Sequence, residues 1–435
     1  MGSDRERGAA SISRIWAWEA IRDIKTPPPD ATQTPTVVTD EGPEQPALLN
    51  ACAGALVARA RQDYGYPCAD PNRPKEGIMK NRASVIALIA TTSATAATIH
   101  VPGDQPTIQA GIDAAALNDT VFVAPGTYTG AGNKNLDFGG VDRVLLSEAG
   151  ADATVIDCEG DGRGMYFGGG ESESSVLEGF AVMRGDDYYG AGAGIRVDGS
   201  SPTLRHITIS DCRGDVGGGI TCFDAAPRIE GCTISDNRGF YEGGGMACYS
   251  SAPVLTHCTI TNCGTFYSGG GLYCDGSTPT LINCIIAENT GGAYGGGGLF
   301  CTSDSAPLLL NCTIANNSAY DTGGIHSARS SPVLVNCVLW GNPPREIQGG
   351  APTLTYCNVR GGFPGEGNID ADPRFRSFAG FDYLLGISSP CIDTGRPELQ
   401  DGVSDWHPLW PAGHVDGPRS DMGAYGGPNN LGWIR

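Results

Sequence analysis

The chain has 435 residues, 65 of them glycine, and a formal charge of −20. Charged residues make up 17% and hydrophobic residues 40%, with 16 cysteines, a composition too apolar for a disordered chain. The glycines keep no three-residue period, which excludes collagen. No apolar run approaches the roughly 18 residues of a membrane-spanning helix, and the acidic balance argues against nucleic acid or an anionic membrane as partner.

Residues 1–78 hold the Pro-rich stretches PPPD, TQTP and EGPEQP and show no hydrophobic period. They read as an extension outside the fold. Met79-Lys80-Asn81-Arg82 then opens a basic stretch, followed by the apolar run Ala83 to Ala90 and by Ala94-Thr95-Ala96. A positive start, a short apolar middle and a small-residue cleavage pattern together predict a signal peptide over 79–96, with translation starting at Met79. A loose tail before a chance apolar stretch is the alternative. Residues 1–96 carry 11 basic and 11 acidic side chains, so the whole −20 falls on 97–435, with 17 basic and 37 acidic.

The next segment, about 97–130, reads as a cap. Pro106 to Ala115 predicts a short amphipathic helix with Ile108 and Ile112 on one face, followed by a strand over Thr120 to Ala124 and a Pro125-Gly126 turn. From residue 200 a repeat takes over. Pro202, Pro227, Pro253, Pro279, Pro307, Pro332 and Pro352 are spaced by 25, 26, 26, 28, 25 and 20 residues. Two residues after each proline stands Leu or Ile (Leu204 to Leu354), and seven after it Ile, Leu or Val (Ile209 to Val359). A glycine cluster then leads to a second apolar pair such as Met246/Cys248 or Leu272/Cys274. Apolar residues two apart share one face of a strand. Strands this short cannot bury their apolar faces alone, so neighbouring repeats must stack. The period predicts an all-β right-handed parallel β-helix over 97–360, with a short N-terminal capping helix and an irregular C-terminal cap over 361–435.

The segments TIQAGIDAA…DTVFVAPGTY, NCTIANNSAYDTGGI, HCTITNCGTFYSGGGLYC and ADPRF…DYLL…SSPCIDTG…DMGAYGG resemble the secreted bacterial right-handed β-helix repeat proteins of the pectate-lyase-like superfamily. The glycine-rich rungs are also similar to repeats of the polymorphic outer membrane proteins. The resemblance covers about residues 98–427 and implies fold and export, while the superfamily holds lyases, hydrolases and adhesins alike.

Three ladders follow from the period. Cys232, Cys258, Cys284, Cys312, Cys337 and Cys357 recur at one position and read as small buried hydrophobes, because rungs roughly 4.8 Å apart do not bring parallel side chains into disulfide geometry. Asn237, Asn289, Asn317 and Asn342, with Cys212 and Cys263 in their place on two rungs, are expected to hydrogen-bond along the stack. Tyr241, Tyr267, Tyr294 and Tyr320 precede the glycine clusters in equal register, with Phe240 and Phe266 beside two of them. If they face outward they form a polysaccharide-binding strip; if they fold over the turn they are packing.

A secreted or cell-surface protein that binds polysaccharide or a surface partner without turnover is the expected function, with a Ca²⁺-dependent polysaccharide lyase as the alternative. For a lyase the resemblance implies Ca²⁺ held by carboxylates, with Asp186, Asp187, Asp211 and Asp236 as candidates, and an arginine base such as Arg213 or Arg238. Asp215 and Glu242, on adjacent rungs, are the candidate catalytic carboxylates. The Asn-Thr-Asp, Gly-His-Gly and Arg-Ile-Lys motifs of polygalacturonases are absent.

Overall fold

The computed structural model describes residues 96–378, 380–402 and 416–434. The expected extension (1–78), the signal peptide apart from Ala96, and the Met79 start lie outside them.

Each rung contributes strands to stacked parallel sheets, and their order follows the sequence pattern. Sheet 1 holds the strands after the prolines and has 11 strands, sheet 2 holds those after the cysteines and has 10, and sheet 4 holds those after the glycines and has 9. A short sheet 3 of four strands lies between sheets 2 and 4 along the chain: Asp186–Ala191, Arg213–Val216, Arg238–Glu242 and Gly264–Thr265. The stack is a right-handed parallel β-helix.

Register matches the repeat residue for residue. In sheet 1 Leu204, Ile229, Leu255, Leu281, Leu309, Leu334 and Leu354 pair in succession. In sheet 2 the succession runs Ile209, Ile234, Ile260, Ile286, Ile314, Leu339, Val359. These side chains and the Cys222/Cys248/Cys274/Cys301 row of sheet 4 are buried in one continuous core. A slip of one residue would turn every one of them outward, so burial itself holds the register.

All 14 described cysteines are free and buried. In the repeat position their Sγ atoms lie 3.3–3.6 Å from backbone carbonyls, as for Cys258 with Ile229 and Cys312 with Leu281. Burial pushes the Cys212 and Cys263 thiols up to about 12, so they stay protonated.

The asparagine ladder forms as expected. Asn289 Oδ1 accepts from the Cys263 N–H at 2.9 Å, Asn317 Oδ1 from the Asn289 N–H at 3.0 Å, and Asn342 Oδ1 from the Asn317 N–H at 2.8 Å. The residue before each ladder position is left-handed: Asp211 (φ 54°), Asp236 (59°), Asn262 (53°), Glu288 (59°) and Asn316 (53°). That conformation turns the chain sharply, and the buried side-chain amide satisfies the backbone groups the turn exposes.

The glycine clusters open on positive φ, 61° at Gly243 and 68° at Gly269. Their second glycine packs on the next rung. A Cβ on Gly270 would stand 2.5 Å from the Thr290 carbonyl carbon and 2.6 Å from the Gly297 oxygen.

The helix Ile108–Ala114 closes the first end, with Ile108, Gly111 and Ile112 buried and the Thr107 side chain capping it by accepting from the Ala110 N–H at 3.2 Å. Stacking begins well before the visible repeat, at Thr98–Val101 and Thr120–Val123.

At the other end, Ile369, Asn368 and Glu366 hydrogen-bond the last rung through Cys357, Val359 and Tyr356. The segment beyond does more than cap. The hairpin Phe375–Phe378/Phe381–Leu385 and residues 416–434 run back along the outer face of sheet 2, where Leu384, Ala424 and Tyr425 pack on Ile285 and Ala287.

Candidate functional site

Tyr241, Phe240, Phe266, Tyr267 and Tyr294 form a row of rings on the outside of the turns around sheet 3. The Tyr241–Tyr267 and Tyr267–Tyr294 centroids are 5.5 and 5.8 Å apart, each pair inclined by 28°. Phe240 packs on Tyr241 at 4.7 Å and on Phe266 at 5.3 Å. Exposure is 40% at Tyr241, 61% at Tyr294 and 87% at Tyr320, with Phe266 at 65%. The middle ring, Tyr267, is half-buried. The rings therefore face outward and also stack on each other. Their faces lie along the solenoid axis and their edges and hydroxyls form the outer ribbon. Phe266 and Tyr320 are the most exposed of these rings.

Sheet 3 sets the row. Its register places Arg213 opposite Arg238, which pairs in turn with Gly264. Both arginines are exposed at the start of the aromatic row.

The candidate catalytic carboxylates have different neighbours. Burial and the nearby Asp187 raise the Asp215 carboxyl above its usual range. Glu242 lies one position beyond, opposite Val216, and its Oε2 accepts from the Tyr249 hydroxyl at 2.6 Å. Burial raises its pKa, partly offset by hydrogen bonds from Tyr249 and Tyr273.

The candidate metal ligands do not converge. Asp187 forms an ion pair with Arg163, Asp186 sits in the strand opposite Arg213, and Asp211 and Asp236 are exposed left-handed turn residues. Among the described residues these four do not gather into a calcium-type oxygen cage.

Two features escaped the sequence pattern. A second aromatic stack covers sheet 4: Phe223 on Tyr249 at 4.9 Å, Tyr273 on Phe300 at 5.6 Å, and Phe300 on His326 at 4.9 Å. Tyr273 and Phe300 are buried, so this stack is packing. Its signal was the recurrence of a ring beside the inward cysteine, as in Tyr273-Cys274 and Phe300-Cys301. The second feature is a pocket of about 380 Å³ between sheet 2 and the C-terminal segment, lined by His206, His257, Glu288, Tyr383, Tyr425 and Trp433 among others. Its walls meet only in the folded chain.

A family model described as the right-handed beta helix region matches residues 144–294 and 194–359. Among solved structures the chain is similar to pectate lyase Pel9A, with 11% identity and a TM-score of 0.47 over 76% of this chain and 96% of that one. No curated protein sequence matches.

Proposed function

Because the chain belongs to the right-handed β-helix repeat proteins, we propose that it is an extracellular or cell-surface protein that holds polysaccharide along its aromatic row without turning it over. The observation that carries this reading is the row itself. Large rings at 61–87% exposure are costly to leave in water, and here they recur on successive rungs along the axis. An extended sugar chain running parallel to that axis would meet ring edges and hydroxyls on several rungs and the most exposed rings, Phe266 and Tyr320. Arg213 and Arg238, at one end of the row, suit a polymer carrying carboxylates.

Each exposed ring is expected to contribute on the order of 1 kcal/mol, about a fivefold change in affinity. The test is retention on a panel of immobilised neutral and acidic polysaccharides, for the wild type and for Tyr294→Ala/Tyr320→Ala. Retention by the wild type and its loss in the double variant, at unchanged melting temperature, supports the reading. Absence of wild-type retention across the panel overturns it. Release of unsaturated oligosaccharides from a bound polymer would replace it with a lyase.

A further inference from the structure

The C-terminal segment gathers aspartates from separate loops into one buried group. One carboxylate oxygen each from Asp393, Asp416 and Asp421 lies within 4.8 Å of the other two. Asp416 is 1% exposed and Asp421 0%. Part of the group is already hydrogen-bonded. The Gly417 N–H donates to Asp393 Oδ2 at 2.9 Å, and the Asp393 N–H donates to Asp421 Oδ1 at 2.8 Å. Asp401 stands behind, its carboxylate accepting from the Asp421 N–H at 3.3 Å and from the Gly427 N–H.

Two oxygens are left over. Asp421 Oδ2 and Asp393 Oδ1 are buried and accept no hydrogen bond. Arg419, two residues from Asp421, is turned away and donates to the carbonyls of Gly395 and Thr394 at 2.6 and 3.3 Å. A fully buried carboxylate oxygen that lacks a donor and faces two more carboxylates is strongly unfavourable, unless something positive sits between them.

We propose that Asp393, Asp416 and Asp421 bind a divalent cation, Ca²⁺, that ties the C-terminal segment together. The donor set is all oxygen, with neither imidazole nor thiolate, which selects a hard cation. Ligand oxygens at about 2.3–2.6 Å from Ca²⁺ can be at most roughly 5 Å apart, and the group meets that limit; Mg²⁺, at about 2.0–2.1 Å, demands a tighter, near-octahedral set. Three carboxylates this close, two of them buried, repel one another. A dication between the carboxylates removes that repulsion. The site would also anchor the segment to the solenoid. The Asp421 carbonyl accepts from Asn311 Nδ2 at 2.9 Å, and the Ser420 hydroxyl accepts from Asn336 Nδ2 at 3.0 Å.

The test uses the full chain stripped of metal with chelator. Calorimetric titration with CaCl₂ and, in parallel, MgCl₂ should show one saturable Ca²⁺ site, weaker Mg²⁺ binding, and a melting temperature that rises with Ca²⁺. Asp421→Asn and Asp393→Asn keep the shape and should each weaken Ca²⁺ binding at least about tenfold, since each removes a ligand charge. Asp187→Asn and Asp236→Asn should leave it unchanged. Having two independent ligand variants guards against one that fails to fold, which circular dichroism would reveal. No saturable Ca²⁺ uptake by the stripped wild type overturns the proposal. So does uptake that survives both ligand variants or is lost in Asp187→Asn or Asp236→Asn.

Discussion

Replacing Asn317 with alanine should open the solenoid at one rung. Asn317 is fully buried and makes four side-chain hydrogen bonds. Its Oδ1 accepts from the Asn289 N–H at 3.0 Å and Asn289 Nδ2 at 2.9 Å, and its Nδ2 donates to the Ile286 carbonyl at 2.9 Å and Asn342 Oδ1 at 2.9 Å. In Asn317→Ala the Asn289 side chain keeps its bond to the Ile260 carbonyl, and Asn342 Oδ1 keeps the Asn317 N–H. The Ile286 carbonyl stays in the ladder with the Thr313–Ala315 strand, but the Asn289 N–H loses its partner where water does not reach. A buried group left unsatisfied costs about 1–3 kcal/mol, and that is the expected cost here. Repeats communicate chiefly with their neighbours, so the effect should be local. Hydrogen exchange resolved by peptide is the suitable assay, since a solenoid need not unfold in one step. At about 1.4 kcal/mol per tenfold, exchange around Asn289 should accelerate by at least about fivefold, while rungs near Leu204 change little. Acceleration below about threefold would refute the reasoning, because it would mean that the backbone relaxes or water enters to satisfy the orphaned group.

Four other outcomes are expected. Cys263→Asn places an amide at the ladder position that now breaks the chain of asparagines between Asn237 and Asn289, and should stabilise by about 1 kcal/mol in thermal or urea unfolding. Gly270→Ala drives a Cβ into the Thr290 backbone and should destabilise by several kcal/mol or prevent soluble expression. Because Glu242 has a raised pKa, the stability linked to its protonated form is complete below the ordinary glutamate pKa of about 4.3 and is lost as pH rises through the elevated value. Glu242→Gln, which keeps an acceptor for Tyr249, should therefore gain in melting temperature relative to wild type between pH 4 and 7; a flat difference would show that the carboxylate is solvated. Thiol titration in denaturant should count the 14 cysteines of residues 97–435 as free, and a count near zero would show that rungs are bridged.

The rung pattern was legible because it is local. Leucine two residues and isoleucine seven residues after each proline state both the strand and its inward face, and Leu255 pairs with Leu281 as the spacing demands. Asparagines one rung apart bond because a repeat brings equal positions together. The early rungs were harder to see. Strands such as Val144–Ser147 and Val176–Glu178 pair, but the rung from one to the other is longer than the later ones, and no proline stands two residues before Leu145 or Leu177.

The C-terminal segment had a weak signal. The outward positions of sheet 2 read Thr208/Ser210, Thr233/Ser235 and Thr259/Thr261, then turn more apolar at Ile285/Ala287, Thr313/Ala315 and Val338/Trp340. That switch announces a covering element, but not which one. The outcome for the tyrosines was equally divided. Equal spacing predicted a row, whereas only the structure showed that the rings of Tyr241, Tyr267 and Tyr294 take one another as stacking partners.

By itself, then, the sequence determined the stack, its register and its buried ladders, because a period of about 25 residues repeats each local choice until only one packing buries every apolar face. Tertiary structure alone decided what lies outside that period. Asp393 and Asp421 meet across 28 residues of irregular chain, and His257 meets Trp433 across the fold at 5.7 Å. No periodicity relates such positions; their contact depends on where an aperiodic segment finds an apolar face to cover, which is a property of the assembled surface.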